Sequence, residues 1–210
     1  MCPMTSICSV PLVLDASVLI NLLATGRLDS ILACLGTSAV VVEEVIREVR
    51  RDPRDRREHP EILTPFIEKT TLTRVSLATA EPMLEHYLDL AAGAGDQDDL
   101  GDGEAASIAC AIHHRYAVAL DERKARAVCS LRYPELQVYS TLDIFRTLEH
   151  SGGFRAEHVS ESVFDALRFA RMRVPHEHEE WVRGLLSQEQ LKSCPSLRRC
   201  SLNQLGDATV

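Results

Sequence analysis

The sequence predicts an α/β fold built on a parallel sheet. Two observations carry that reading: five short apolar runs recur along the chain, and helical patterns fall between them. Most of the runs lack the alternation of a half-exposed strand, which suits strands covered on both faces by helices. The chain has the length for it, with 210 residues of which 45% are hydrophobic. No apolar run approaches the roughly 20 residues that a bilayer span requires.

The first strand is expected over residues 10–14, a continuous apolar run with Pro11 near its start. A helix over 17–23 opens just after an acid, Asp15. The β-branched run 39–42 is the second strand, and 43–51 places Val45, Ile46 and Val49 at helical spacing. The charged stretch 52–59 reads as a loop. Residues 72–77 alternate and form the third strand candidate. Two helices follow, 81–92 with Leu84, Tyr87, Leu88 and Ala91, and 104–114 with Ile108, Ala109 and Ile112. Residues 117–120 and 136–139 complete the strands, with a helix over 123–129 between them and another over 141–150 after them. Ser151-Gly152-Gly153 reads as a joint. It separates a domain over 8–150 from a helical extension over 151–190, with helices at 158–172 and 175–188. The last stretch, 191–210, has no period and is expected to be a disordered tail.

The net charge is −8, from 23 basic and 31 acidic side chains. That balance opposes long-range attraction to bare nucleic acid, although a local basic patch or a bound cation reverses the field nearby. The chain has seven cysteines and no C-x-x-C pair. Cys34, Cys110 and Cys129 lie among apolar neighbours and read as small core residues of a reduced protein. With no basic stretch and long apolar core at the N-terminus, the expected location is the cytoplasm.

In a parallel sheet, ligands bind beyond the carboxyl ends of the strands. Asp15 directly follows the first strand and Asp121 the fourth. Two carboxylates at neighbouring strand ends repel unless a cation or proton lies between them. Glu48, on the helix after the second strand, and Glu104, at the start of the helix before the fourth, are placed to converge on them. Such a set of hard oxygen donors favours Mg²⁺ or Mn²⁺ over zinc. Each acid also has an ordinary structural role open to it. Asp15 suits a helix cap, Glu104 a first-turn acid with Asp102 as N-cap, Glu48 a solvated helix face, and Asp121 with Glu122 the turn into a helix.

Four segments in one order then identify a relative. Val13-Leu14-Asp15-Ala16-Ser17 through Leu22, Val40 through Val49 around Glu48, Leu100-Gly101-Asp102-Gly103-Glu104-Ala105, and Ala119-Leu120-Asp121-Glu122-Arg123 resemble the four motifs of the PIN-domain family. The third is similar to that of the VapC-like toxin ribonucleases with Gly-Glu-Ala at this place. The resemblance covers about residues 10–150. It implies a three-layer α/β/α fold with a five-stranded parallel sheet in the order 3-2-1-4-5, followed here by C-terminal helices. It further implies that Asp15, Glu48, Glu104 and Asp121 bind Mg²⁺ or Mn²⁺, with Ser17, Asn21 and a hydroxyl at Ser140 or Thr141 as polar helpers. For Ser140 and Thr141 the competing role is capping the helix that begins there. The activity implied is endonucleolytic cleavage of single-stranded RNA. The partners implied are an antitoxin protein and a second copy of the chain, with no membrane. One departure is Ser107, where that branch often carries a further acid; another is the acid-rich run Asp96-Gln97-Asp98-Asp99.

Two basic clusters are candidates for RNA contact. Arg123, Lys124 and Arg126 follow Asp121 directly, whereas Arg47, Arg50, Arg51, Arg54, Arg56 and Arg57 are interleaved with acids that would pair with them locally. Aromatic residues are only 5% of the chain, so a broad base-stacking platform is not expected. The eight histidines show no metal-ligand spacing and read as solvated or capping residues. Asp15 is followed by Ala16 and Ser17, not by the second Asp of an Asp-x-Asp phosphatase, and no glycine-rich phosphate loop follows the first strand. The alternative to a nuclease is a catalytically idle module of the same fold that binds RNA or a protein.

Overall fold

The computed structural model describes residues 10–93 and 100–194, together with Leu197. The acidic run 96–99, and Cys2, Cys8 and Cys200, lie outside the described residues. The sheet has five strands, all parallel, in the order β3-β2-β1-β4-β5: β1 is Leu12–Leu14, β2 Ala39–Val42, β3 Leu72–Val75, β4 Ala117–Ala119 and β5 Val138–Tyr139. Helices flank it to give the three-layer α/β/α architecture. The central strands β1, β2 and β4 are buried along their whole length, which is why their sequences are unbroken apolar runs. The edges are blunter. In β3 only Leu72 is buried, and β5 is two residues long.

Register places the site. Leu14 pairs with Ala119 across β1 and β4, and the Asp15 N–H donates to the Ala119 carbonyl at 3.2 Å. Asp15 and Asp121 therefore leave the sheet side by side, at its carboxyl edge. Helix α1 (Ala16–Ala24) starts at that edge, and α2 (Leu28–Cys34) follows it. Helix α3 (Glu43–Glu48) continues directly from β2, and α4 is Thr64–Glu68. Helix α5 (Glu81–Ala92), with Pro82 in its first turn, packs along α6 (Asp102–His114). Helices α7 (Arg123–Arg132) and α8 (Thr141–His150) follow β4 and β5.

Several boundaries differ from the sequence reading, for local reasons. The helix expected over 43–51 stops at Glu48. Pro53 disfavours the helical conformation at Asp52, and Arg51 instead pairs with Glu58 in an antiparallel bridge. The third strand ends at Val75, and the chain turns over Leu77–Thr79. Helices α2 and α4 had no clear period to announce them.

The joint at Ser151-Gly152-Gly153 is real as a turn, with Gly152 at φ +66°, but the core runs across it. Helix α9 (Ala156–Asp165), a π-turn over Ala166–Ala170, and α10 (His176–Leu185) bury Val159, Val163, Leu167 and Val182 in the same cluster as the sheet. The first residues of the stretch expected to be a tail are ordered instead. Helix α11 (Gln188–Ser193) is started by Ser187 and Gln190, which bond each other's backbone N–H, and Cys194 and Leu197 are buried. Apart from Leu197, the stretch after Cys194 lies outside the described residues.

Cys110 and Cys129 are buried free thiols whose burial pushes their pKa up to about 12 and about 11, the values of inert core residues. Cys34 is only half-buried, with its Sγ 3.5 Å from the Gly153 carbonyl.

Candidate metal centre

Asp15 caps α1 with one oxygen only. Its Oδ2 accepts from the Ser17 N–H at 3.2 Å and the Ser17 hydroxyl at 2.7 Å. Its Oδ1 is buried and has no partner among the described residues. The capping role therefore explains half of the carboxylate. A buried acceptor without a donor costs on the order of 1–3 kcal/mol, more when charged, and calls for an unseen partner. Asp15 is 2% exposed, and burial is the main reason its pKa is raised; the Ser17 bonds and the nearby Ala16 N–H oppose it and the Asp121 charge adds to it.

Asp121 is held at both oxygens. Oδ1 accepts the Thr141 N–H at 2.8 Å; Oδ2 accepts the Thr141 hydroxyl at 2.5 Å and the Asn21 amide at 2.7 Å. The Asn21 amide also donates to Thr141 Oγ1 at 3.3 Å. Helix α1 thus orients both strand-end acids, Asp15 through Ser17 and Asp121 through Asn21. Ser140 does not share in this. Its hydroxyl donates to Asp143 at 2.7 Å and accepts the Asp143 N–H, closing the N-terminus of α8. Of the two adjacent hydroxyls, Thr141 reaches the acids and Ser140 is the cap.

Glu48 ends α3 and reaches the first turn of α6, where its Oε1 accepts the Gly103 N–H at 2.8 Å. The positive end of α6 suits a carboxylate there. Gly103 makes the approach possible: a Cβ on it would stand 2.6 Å from Glu48 Oε1. Gly103 is the glycine of the Gly-Glu-Ala motif, for which the sequence suggests no role beyond a glycine inside a helical turn where alanine is the better helix former. Glu104 Oε2 accepts the Gly101 N–H at 3.2 Å, a capping arrangement. Gly101 rather than Asp102 is the N-cap; Asp102 opens the helix and accepts from the Tyr87 hydroxyl at 3.1 Å.

Burial also raises the pKa of Glu48 and of Glu104, and the Asp15 charge contributes to both. Asp15 is thus the electrostatic hub of the cluster. The leading charges acting on all three acids are negative, so an added cation lowers their free energy together. As they stand, no three acidic, histidine or cysteine side chains among the described residues converge closely enough to hold a metal ion. Glu48 and Glu104 are each engaged by a backbone N–H at the start of α6. The donor set still fits a hard divalent ion in kind: carboxylate oxygens, one of them buried and unpartnered.

Ser107 is fully buried on α6, and its hydroxyl has no partner among the described residues. The position that elsewhere carries a further acid is here part of the core.

Arg123 and Lys124 are exposed on the first turn of α7, while Arg126 folds back with Nη1 3.4 Å from the Leu120 carbonyl. Four of the six arginines of the larger basic cluster are engaged in the fold. Arg47 pairs with Glu43 and Glu44, Arg51 with Glu58 and Arg57 with Asp55. Arg54 donates to the Ala24 carbonyl at 2.8 Å, pairs with Asp165 at 3.2 Å and lies over the Phe169 ring at 4.7 Å. Arg54→Ala is accordingly expected to cost about 1–2 kcal/mol of stability, measured by urea unfolding, and to leave RNA affinity unchanged. A weakened affinity with intact stability would make Arg54 an RNA contact.

The histidines include one surprise. His178 is neither solvated nor a cap: it is 4% exposed, with Nε2 3.2 Å from Asp143 Oδ1. His113 meets the His114 ring edge-on, and His114 stacks on Tyr116.

A family model for the PIN domain matches residues 11–186. No curated protein and no solved structure matches the chain significantly. PIN domains are generally nucleases that act on nucleic acid with divalent metal ions. The match spans the sheet, the acid cluster and helices α9 and α10 alike, and the chain belongs to the PIN-domain family.

Proposed function

We propose that the protein is a Mg²⁺- or Mn²⁺-dependent endoribonuclease acting on single-stranded RNA. The observation that carries the reading is the unpartnered, buried Oδ1 of Asp15 among three further carboxylates. Asp15, Glu48, Glu104 and Asp121 would hold the ion. When bound, such an ion supplies positive charge to a phosphodiester in reaction and makes a water acidic enough to serve as nucleophile near neutral pH.

The rest is done by the chain itself. Ser17 keeps Asp15 Oδ2 occupied, so that Oδ1 is the oxygen on offer. Asn21 and Thr141 fix the rotation of the Asp121 carboxylate. The Gly103 N–H draws Glu48 toward the start of α6. Arg123 and Lys124, exposed on the first turn of α7 just after Asp121, would meet phosphates of the strand. Few aromatics are available for stacking, which fits recognition by backbone and shape. The acidic cluster would also receive a basic side chain of an antitoxin, and a homodimer is a further proposal by family analogy. One observation favours the idle-module alternative: Glu48 and Glu104 are both tied to α6 and no three donors converge.

The test is cleavage of mixed-sequence single-stranded RNA by wild type and Asp121→Asn, with Mg²⁺ or Mn²⁺ and with EDTA. The expected result is metal-dependent cleavage that falls about 100-fold or more in the variant. No cleavage by folded, partner-free wild type would establish the idle module. Equal cleavage by both proteins would show that the reaction does not use this cluster.

A further inference from the structure

His178 stands on α10, in the part of the chain after the joint, yet it is wired to the acid cluster. Its Nε2 lies 3.2 Å from Asp143 Oδ1. The other oxygen of Asp143 accepts the Ser140 N–H at 2.8 Å and the Ser140 hydroxyl at 2.7 Å. The next residue, Thr141, gives its N–H and hydroxyl to Asp121 at 2.8 and 2.5 Å. Two consecutive peptide groups are thus held between two carboxylates, Asp143 on one side and Asp121 on the other.

Burying an imidazole against a carboxylate is costly, and an apolar side chain at 178 would dock α10 at less cost. Docking of α10 also has anchors other than His178. Trp181 donates to Glu149 on α8 at 3.0 Å and lies beneath the Arg146 guanidinium, and Val182 is buried in the core. The polar contact of His178 serves something other than adhesion. Burial alone would raise the Asp143 carboxyl; the bonds from His178 and Ser140 reverse this and hold it at about 2, so it is an anion near neutral pH.

We propose that His178 is a positioning residue for the acid cluster, which through Asp143 and the Ser140–Thr141 backbone sets where the Asp121 carboxylate stands. This rests on Asp121 acting in the proposed nuclease site. It gives the helices after residue 150 a part in that site although they contribute none of its four acids.

The experiment compares wild type, His178→Ala, His178→Gln and His178→Asn in the full chain. Gln can place an amide nitrogen near the Nε2 position; Asn is too short. Hydrogen exchange of the Thr141 amide and the Asp121 carboxyl ¹³C shift report the geometry without any turnover. Emission of Trp181, the single tryptophan and a neighbour of the His178 ring at 6.3 Å, reports docking of α10. We expect the Ala variant to keep native Trp181 emission, to lose Thr141 protection and to cleave RNA with kcat lower by about tenfold at unchanged KM, and Gln to restore all three. Thr141 protection and the Asp121 shift unaltered in the Ala variant would overturn the proposal. So would identical behaviour of Gln and Asn, which is also the deciding comparison if the Ala variant undocks α10. Were wild type inactive on RNA, the nuclease reading would fall, while the two resonances would still decide whether His178 sets Asp121.

Discussion

Asp15→Asn is expected to melt at a higher temperature than wild type in EDTA and to have lost metal-dependent cleavage. The carboxylate it removes is 2% exposed, has one oxygen without a donor and has acidic neighbours. An amide can keep the useful half of the arrangement. Its oxygen accepts from Ser17, as Oδ2 does now, and its NH₂ takes the place of the unpartnered Oδ1, where it offers donors to a cluster that lacks them. Removing an unpaired buried charge is worth about 1 kcal/mol or more after the relaxation that real sites allow, which corresponds to about 2–4 °C for a chain of this size. Saturating Mn²⁺ should invert the order, because ligand binding stabilises only the protein that keeps the site. Scanning calorimetry in EDTA and in Mn²⁺ measures both halves. A variant that melts lower in EDTA, or that gains as much from Mn²⁺ as wild type, would remove Asp15 from the metal centre.

The same argument fixes a pH dependence. Asp15, Glu48 and Glu104 have folded pKa values raised above their ordinary values of 3.8 and 4.5. Between those ordinary values and the raised ones, the folded chain binds more protons than the unfolded chain, so stability falls as pH rises through that window. The stability gap between Asp15→Asn and metal-free wild type should therefore narrow as pH is lowered toward the ordinary carboxylate range. Asp143 works in the opposite sense. Its carboxyl is held at about 2, so its contribution is present above 3.8 and is lost as pH falls toward 2. Both proteins share that loss, so the difference between them reports Asp15 together with the part of the Glu48 and Glu104 shifts that its charge causes.

The sheet was legible because its central strands are buried on both faces and must be apolar throughout. The run 39–42 coincides with β2, and the ends of 81–92 and 141–150 coincide with α5 and α8, where Pro82 and the Ser140–Asp143 capping box mark the starts. Short elements were not legible. Helices α2, α4 and α11 run to seven residues or fewer, too few for a period to declare itself. The acids could be placed because each sits at the end of an element that the apolar pattern already located. What joins them could not. Glu48 meets Gly103 across 55 residues and Asp121 meets Thr141 across 20, and nothing local distinguishes Thr141 from Ser140. His178 reads as solvated or capping because it and His176, on either side of Glu177, lack metal-ligand spacing; its burial is decided by how α10 lies on α8.

Gly103→Ala should separate folding from activity most cleanly. Gly103 is buried in the first turn of α6, and an added methyl would stand 2.6 and 2.8 Å from the two oxygens of Glu48. Those atoms end a flexible side chain, so the carboxylate moves and the backbone does not have to. Helix α6 meanwhile exchanges its worst non-proline residue for its best, a gain of about 0.5–1 kcal/mol. The melting temperature should therefore hold or rise. Cleavage should fall about 10- to 100-fold, since Glu48 loses both its place and the Gly103 N–H that held it. Gly184→Ala is the matched control: it makes the same exchange within α10, and its methyl would meet nothing within 4 Å. It should stabilise the chain by a similar amount and leave cleavage untouched. If Gly103→Ala cleaves as well as Gly184→Ala, the position of the Glu48 carboxylate does not matter to the reaction, and the cluster reduces to Asp15, Glu104 and Asp121. A Gly103→Ala protein that is both unstable and inactive would instead show that the methyl is absorbed by moving α6 against α3, which makes the Glu48 contact a support of the fold.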